Sequence, residues 1–254
     1  MWQDIKMLNA TANALFALVA LVLISAGLWW IAQRPYFTLK TIRIEGAEHA
    51  QLRHINPLIV RGAVLSRVKG NFFTANLDNV RQVFESVPWV RKATVRREWP
   101  NQLIVTLEEH MPLGTWGDDG RLLSVKGDVF TANMAEAEED ARLLTFDGPA
   151  GSEKEVAARL NDLNTWFAPL KLRAEKLELS SRYAWTVTLN NGVTVELGRE
   201  KTSNTLKERV ERLVGVYPQL VERLQNRIES IDMRYPNGLA LAAQGLTAGI
   251  NSKK

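Results

Sequence analysis

The chain has 254 residues, of which 46% are hydrophobic and 24% charged, with a formal net charge of +4 at pH 7. It contains no cysteine, which excludes disulfides, zinc–thiolate sites and a cysteine nucleophile. The positive excess is small, and nucleic-acid binding would require it to be clustered on one surface.

An uncharged segment near the N-terminus predicts a membrane span. No residue from Met7 to Gln33 is charged, and Ala14–Ile31 is apolar except for Ser25. As a helix, that apolar run would be roughly 27 Å long, close to the hydrocarbon core of a bilayer. A signal peptide is the alternative, but the run is longer than a usual signal core and no small-residue cleavage site follows it. We therefore predict an uncleaved anchor at residues 10–33, after a tail at residues 1–9.

The charges around this segment leave its orientation open. Asp4 and Lys6 precede it, whereas Arg34, Lys40 and Arg43 follow it, and a literal count slightly favours a cytoplasmic C-terminal side. Large domains, however, can cross a membrane regardless of charge. Aromatic rings suited to the membrane–water interface follow the span at Trp29, Trp30 and Tyr36.

The next 75 residues or so predict a small α+β module in the order strand, helix, helix, strand, strand. Alternating apolar and polar residues mark the strands. Asn56-Pro57 is expected to begin the first helix, and Asn76 to cap the second before Pro88 ends it. The expected strands are Leu39–Glu45, Ala93–Arg96 and Leu103–Leu107.

The rest of the chain predicts a second block of strands with amphipathic helices. Its clearest element is a hairpin, Trp185–Leu197, around Asn190-Asn191-Gly192, because Asn-Gly between alternating runs favours a tight turn. Further expected elements are a weak strand pair within Arg121–Phe130, a loop or short exposed helix at Thr131–Ala141, a turn at Gly148–Ser152, a helix from Val156 to Phe167, a helix from Leu206 that Pro218 ends, and a strand with alternating Ile231, Met233 and Tyr235 that turns at Pro236–Gly238 into Leu239–Ala242.

A search for catalytic or metal-binding residues gives little. Glu108-Glu109-His110 offers metal-ligand types, but an ordinary solvated strand end is favoured because no second cluster completes a site. Nucleotide-binding loops and nucleophile elbows are missing from the sequence. The basic run Val90–Arg97 favours a solubilising strand face over a contact surface for a protein or lipid headgroups, and lacks the interleaved aromatic residues of nucleic-acid binding. We expect no enzyme activity, cofactor, metal or small-molecule substrate.

A membrane-tethered chain without an active site is expected to hold partners together. An exposed strand edge is a candidate means, because its unpaired N–H and C=O groups can accept an incoming strand. The last strand region, around Tyr235, is the natural candidate for that edge.

Several segments together resemble the FtsQ/DivIB family of bacterial cell-division proteins. The most specific is PWVRKATVRREWPNQL at residues 88–103, which is similar to the end of the POTRA domain in that family. The others are FDGPAGSEKEV at 146–156, WTVTLNNGVTVELGR at 185–199 and IDMRYPNG at 231–238. The resemblance implies an α+β fold, with a POTRA domain at 37–110 and a mostly antiparallel β-domain with flanking helices at 111–243. The small and polar residues at 244–254 predict a disordered tail.

The family resemblance also implies a function and a location. Its members are non-enzymatic divisome proteins that bind FtsB with FtsL and link early to late division proteins. It implies a single-pass inner-membrane protein at the division septum, with a cytoplasmic N-terminus and a periplasmic bulk. FtsK is an implied further partner, in a region that matches Val95 and Arg97.

In the family, FtsB adds a strand along the last strand of the β-domain. Carried over by motif, the implied binding residues are Arg182, Arg234, Tyr235, Asn237, Gly238 and Leu239. A core position in phase with Ile231 and Met233 is the alternative for Tyr235. The distal aromatic residue of the family is replaced by alanine at or near Ala243, so the outer end of the interface is expected to differ.

Alternative functions remain open at this point. A different membrane-anchored POTRA-type module, serving secretion or envelope assembly, would share the fold without binding FtsB. An envelope hydrolase would require a sheltered carboxylate or metal cleft, which the sequence does not indicate.

Overall fold

A long apolar helix, α1 (Trp2–Ala32), begins the chain. The computed structural model describes residues 2–49, 51–56, 60, 62, 70–140, 142–202, 204–225, 227–236 and 238–243. Among these residues, only the Met7–Ala32 part of α1 is long and apolar enough to cross a membrane, and none of it is buried inside the protein. The chain divides into two compact units, Met1–Glu109 and His110–Lys254.

Beyond α1, the first unit is built on a small sheet. Its described strands are β1 (Thr41–Gly46), β2 (Val90–Glu98) and β3 (Gln102–Glu109), in the spatial order β1-β3-β2. β1 lies parallel to β3, and β2 is antiparallel to it. Helix α2 (Leu77–Glu85) packs on β2 and buries Val80 and Phe84.

Local sequence explains where α2 begins. The side chain of Asn76 accepts a hydrogen bond from the N–H of Asn79 at 3.1 Å, which satisfies one of the unpaired donors at the helix start. The predicted cap at Asn76 is therefore confirmed. The predicted first helix falls largely on residues 57–59, 61 and 63–69, which lie outside the described residues.

The second unit contains a large mixed sheet. Its described strands run in the spatial order β12-β11-β10-β9-β8-β7-β4-β5-β6. The pairs β4/β7, β7/β8 and β10/β11 are parallel and the others antiparallel, so the expectation of a mostly antiparallel sheet is confirmed. The strands are β4 (Pro112–Trp116), β5 (Arg121–Ser124), β6 (Val129–Phe130), β7 (Leu144–Asp147), β8 (Ala174–Leu179), β9 (Ala184–Leu189), β10 (Thr194–Arg199), β11 (Ile228–Asp232) and β12 (Ala240–Ala243).

A short helix, α3 (Met134–Asp140), precedes β7, and two longer helices, α4 (Glu153–Phe167) and α5 (Thr205–Leu224), pack on the sheet and close its core. α4 packs against β8, α5 packs against β10, and the two helices contact each other. Their apolar stripes meet the buried faces of the strands in one core that includes Leu163, Trp185 and Leu213. The predicted hairpin around Asn190-Asn191-Gly192 is confirmed by the antiparallel pairing of β9 with β10.

The prediction that Pro218 ends its helix is wrong, because α5 continues to Leu224. Proline removes one backbone donor and normally breaks a helix. Here Pro218 is exposed, while Leu220 and Leu224 continue the apolar stripe against the core. Packing thus offsets the lost hydrogen bond, and the helix ends where Gln225 adopts a left-handed conformation with φ 50°.

Candidate partner-binding edge

β12 lies at an edge of the large sheet. Its register places Leu241 opposite Ile231 and Ala240 opposite Asp232 on β11. Leu241 packs against the core, whereas Ala240 and Ala242 are exposed. Within the described part of the chain, β11 is the only strand paired with β12, so its outer side presents main-chain donors and acceptors. The small side chains of this strand place little obstruction in front of an incoming strand.

The connection between β11 and β12 is fixed by helix α5. The guanidinium of Arg212 donates hydrogen bonds to the carbonyl oxygens of Tyr235 at 3.0 Å, Met233 at 3.4 Å and Pro236. One helical turn earlier, Arg209 donates to the carbonyl oxygens at the end of β10, Leu197 and Arg199. Charge-assisted hydrogen bonds of this kind are stronger than neutral ones, so the connection has a defined backbone path.

Arg234 is held by two carboxylates of neighbouring strands. Its Nε and Nη2 donate to Asp232 at 2.9 and 2.6 Å, and Nη2 lies 2.9 Å from Glu196. Its side chain nevertheless remains 57% exposed. The hydrogen bond from Arg234 is the main reason that the pKa of Asp232 is lowered from its ordinary value, and the same contact raises the pKa of Arg234.

A glycine makes room for this arrangement. Gly198 has φ +72°, and a Cβ atom there would lie 2.8 Å from Cγ of Arg234. Arg209, which donates to the carbonyl oxygens of Leu197 and Arg199, has a lowered pKa. Burial is the larger cause, and repulsion from Arg212 is the smaller one. The end of β10 is thus closely packed beneath the Arg234 side chain.

Tyr235 lies beside the edge strand rather than on it. β11 ends at Asp232, and the alternation expected to continue through Tyr235 stops after the fully buried Met233. Tyr235 is 56% exposed, so the alternative of a core position is wrong. The prediction that the edge runs around Tyr235 also needs correction, because the edge strand is Ala240–Ala243.

Of the other predicted binding residues in this unit, some lie near Arg234 and the edge strand. Arg182 is exposed in the turn before β9, and the register of Ala184 with Arg199 puts that turn at the end of the sheet where Arg234 lies. Gly238 is exposed, and Leu239 packs against the core. Asn237 lies outside the described residues.

Val95 and Arg97 belong to the first unit. Val95 is half-buried on β2 and pairs with Val105 of β3. Arg97 donates from Nε to the carbonyl oxygen of Phe72 at 2.7 Å and from Nη2 to that of Ala75 at 2.9 Å. Its guanidinium therefore fixes the loop before α2.

Sequence reasoning missed the residues that hold these segments. Arg212 is one helical basic residue among several, and nothing in its spacing indicates a contact with carbonyl groups more than 20 positions later. Glu109 is a second case: its carboxylate accepts hydrogen bonds from the N–H groups of Arg53, His54 and Ile55. These contacts depend on the tertiary fold, which local patterns do not reveal.

The neighbours of Glu109 also have structural contacts. Glu108 pairs with Arg91 at 3.0 Å, and the ring of His110 stacks on Phe130 with centroids 4.1 Å apart. The favoured interpretation of a solvated strand end is thus incomplete, because each of these side chains contacts another part of its own unit.

Comparison with known proteins gives matches across nearly the whole chain. The family model described as cell division protein FtsQ/DivIB, C-terminal, matches residues 114–234, and the model described as POTRA domain, FtsQ-type, matches residues 37–110. The chain is 54% identical over 246 residues to cell division protein FtsQ of Burkholderia pseudomallei, covering 97% of this chain and 96% of that protein. It is 42% identical over 254 residues to FtsQ of Bordetella pertussis, covering 95% and 93%. The POTRA and C-terminal matches, together with relatives that align along more than nine-tenths of their length, show that the chain belongs to the FtsQ/DivIB family of cell-division proteins.

Proposed function

We propose that the chain is a non-enzymatic scaffold of the divisome that binds FtsB together with FtsL and links early to late division proteins during septum formation. The observation that carries this proposal is the position of β12 at the edge of the large sheet, beside the fixed connection with the exposed Tyr235 ring. Family membership supports a role in cell division, and the edge supports strand addition as the way a partner binds.

In this proposal the partner contributes a strand that pairs with β12. Main-chain hydrogen bonds to Ala240–Ala243 supply affinity, while side chains beside the strand supply specificity. Tyr235 offers apolar area with a polar tip, and Gly238 and Leu239 lead directly into the edge. Asn237 and Arg182 are proposed to contribute at the same end of the interface.

Arg234 has a more specific proposed role than simple pairing with a partner. Its guanidinium is already bound to Asp232 and Glu196, so a partner carboxylate would join or displace an existing ion pair. The exposed N–H groups of Arg234 can donate two parallel hydrogen bonds to a partner carboxylate. We therefore expect Arg234 to orient the connection as well as to contact the partner.

The proposed location is the inner membrane at the division septum, with a single span at residues 10–33. Residues 1–9 would be cytoplasmic, and the POTRA domain (37–110), the β-domain (111–243) and the tail (244–254) periplasmic. β2 is an edge of the small sheet, which supports the proposal that Val95 and Arg97 serve a second divisome partner such as FtsK.

The test is a binding titration of the full chain in phospholipid nanodiscs with the periplasmic segments of FtsB and FtsL. We expect saturable binding by the wild type and at least about a 30-fold loss with Tyr235→Ala, the size of a typical interface hot spot. Val125→Ala is the control, since Val125 is 45% exposed in the turn between β5 and β6, at the opposite side of the same sheet.

Hydrogen exchange on the same samples locates the contact. Strand addition predicts slower exchange of the amides at 240–243 when the partner is bound. Saturable binding with unchanged exchange there would contradict strand addition at β12. Equal losses of affinity in the Tyr235 and Val125 variants would contradict the assigned role of Tyr235. A folded wild-type chain that does not bind would contradict the scaffold function with these partners.

A further inference from the structure

Exposed aromatic side chains cluster where α1 meets the rest of the first unit. Phe73, in the loop before α2, is 51% exposed, and Trp99, in the turn between β2 and β3, is 68% exposed. Neither ring contributes to the buried core of the unit. Trp30 at the end of α1 and Tyr36 just beyond it are also exposed. Large rings at the tips of separate loops therefore share one end of this unit.

Ring contacts connect these separate segments. The ring of Tyr36 lies 6.3 Å from that of Trp99, and Phe37 lies 5.0 Å from Phe73, measured between centroids. Both pairs have edge-to-face geometry, which aromatic rings favour. The segment after α1 thus carries contacts to both loops.

Hydrogen bonds hold the same loops against the end of the helix. Asn71 donates from Nδ2 to the carbonyl oxygen of Ala32, the last residue of α1, at 2.9 Å. The N–H of Phe72 donates to the carbonyl oxygen of Phe37 at 2.8 Å, and the N–H of Lys40 donates to that of Asn101 at 3.1 Å. The loops that carry Phe73 and Trp99 are therefore fixed at the level where α1 ends.

The backbone on either side of Phe73 is also fixed. Arg97 donates to the carbonyl oxygens of Phe72 and Ala75, and the side chain of Asn71 accepts from the N–H of Phe73 at 3.0 Å. With its flanking backbone held in this way, Phe73 projects outward from a defined position. A fixed aromatic ring loses little conformational entropy when it is buried by a second surface.

From this geometry we propose that Trp30, Tyr36, Phe73 and Trp99 form a membrane-docking surface that inserts into the headgroup region of the bilayer crossed by α1. The inference rests on the membrane span of the proposed function. Met7–Ala32 is 26 residues long, or about 39 Å as a helix, so its last turn extends past the hydrocarbon core into the interface. Tryptophan and tyrosine rings favour that layer.

Two basic side chains close to these aromatic rings in the sequence also favour contact with a lipid surface. The guanidinium of Arg34 lies 3.5 Å above the ring of Trp30, directly after the helix, and Lys40 is exposed nearby in the chain. Cations at this depth can contact lipid phosphates while their apolar stems remain among the aromatic rings. Docking would hold the sheet and loops of the first unit against the bilayer that α1 crosses.

The experiment uses the full chain in phospholipid nanodiscs, with the photoreactive residue p-benzoylphenylalanine at one position per sample. The test positions are Phe73 and Trp99. The control is the exposed Lys92, seven residues from Trp99 along β2 and hence about 23 Å away. Leu21, in the middle of the span, is the marker for membrane insertion.

After irradiation, mass spectrometry should find lipid adducts at positions 21, 73 and 99, with at least a tenfold lower yield at 92. Adducts at position 21 alone would overturn membrane docking while leaving the anchor intact. Loss of adducts at position 21 as well would overturn both the docking surface and the anchor of the proposed function.

Two further outcomes would also overturn the docking surface. Equal adduct yields at 73, 99 and 92 would show nonspecific contact with lipid. Cross-links from 73 and 99 to a second copy of the chain, without lipid adducts, would assign the surface to self-association. A cooperative thermal unfolding transition of each labelled chain in the nanodisc, at the Tm of the unlabelled chain, serves as the check that the substituted protein is folded.

Discussion

Arg212 donates a hydrogen bond from Nη2 to the carbonyl oxygen of Tyr235 at 3.0 Å, so a helix that packs on the core fixes the backbone of an exposed tyrosine near the sheet edge. The tyrosine ring is exposed while its main chain is held. A partner that covers the ring therefore does not need to order the backbone beneath it, which lowers the entropic cost of binding.

Arg212→Ala should release the connection between β11 and β12. Loss of charge-assisted hydrogen bonds to Met233, Tyr235 and Pro236 is expected to reduce the local free energy of opening by about 2 kcal/mol, or roughly 30-fold in amide exchange over 233–239. Arg223→Ala, at an exposed position of the same helix, is the control and should leave exchange unchanged. Identical exchange in the two variants would show that Arg212 does not hold the connection.

Gly198→Ala should destabilise the second unit and displace Arg234. Alanine in the left-handed conformation of Gly198 costs about 1–2 kcal/mol, and its Cβ would meet the Arg234 side chain. Gly238→Ala is the matched control, because a Cβ there meets no atom within 4 Å. Thermal unfolding should show a lower Tm for the first variant than for the second. The packing argument fails if the two variants unfold at the same temperature.

The interaction between Asp232 and Arg234 should depend on acid pH. Because the hydrogen bond from Arg234 lowers the pKa of Asp232 in the folded chain, its stabilisation is present above the unfolded pKa of about 4. It is lost as the pH falls through the lowered folded pKa. Carboxyl NMR titration should give a midpoint for Asp232 below that of an ordinary aspartate, and Arg234→Gln should move it upward. A midpoint unaffected by Arg234→Gln would contradict this cause.

Glu109→Gln should loosen the segment that precedes the first predicted helix. The carboxylate accepts from the N–H groups of Arg53, His54 and Ile55, so loss of its charge is expected to cost about 2 kcal/mol. Glu108→Gln removes only the partly exposed pair with Arg91 and should cost less than about 1 kcal/mol. Amide exchange at 53–55 distinguishes the two, and equal rates would show that the Glu109 charge is not required.

Local patterns predicted those parts of the fold that local chemistry determines. A tight hairpin turn requires positive φ angles, which Asn and Gly adopt more readily than other residues. Gly192 indeed has φ +83°, so Asn191-Gly192 was enough to predict the hairpin. Asn76 similarly identified a helix start through its capping side chain. Such signals operate over a few residues.

Features that depend on distant contacts could not be predicted in this way. The alternation of apolar and polar residues through Tyr235 looks the same whether the strand continues or ends at Asp232. The edge position of β12 depends on the parallel pairing of β10 with β11, two strands that α5 connects. Pro218 looked like a helix end because propensity takes no account of the apolar contacts of Leu220 and Leu224. Tertiary packing decided each case.

The hydrogen bonds of Arg97 have a thermodynamic consequence for the first unit. One end of this side chain lies on β2, an edge of the small sheet, and the other holds the loop that carries Phe73. A protein that captures the Arg97 guanidinium must compete with the carbonyl oxygens of Phe72 and Ala75, and so removes two of the hydrogen bonds that hold the loop. Through reciprocal linkage, binding of that protein and the proposed insertion of Phe73 into lipid would weaken each other by the same factor. A single arginine would in this way make the occupancy of a strand edge sensitive to how closely the unit lies on the membrane.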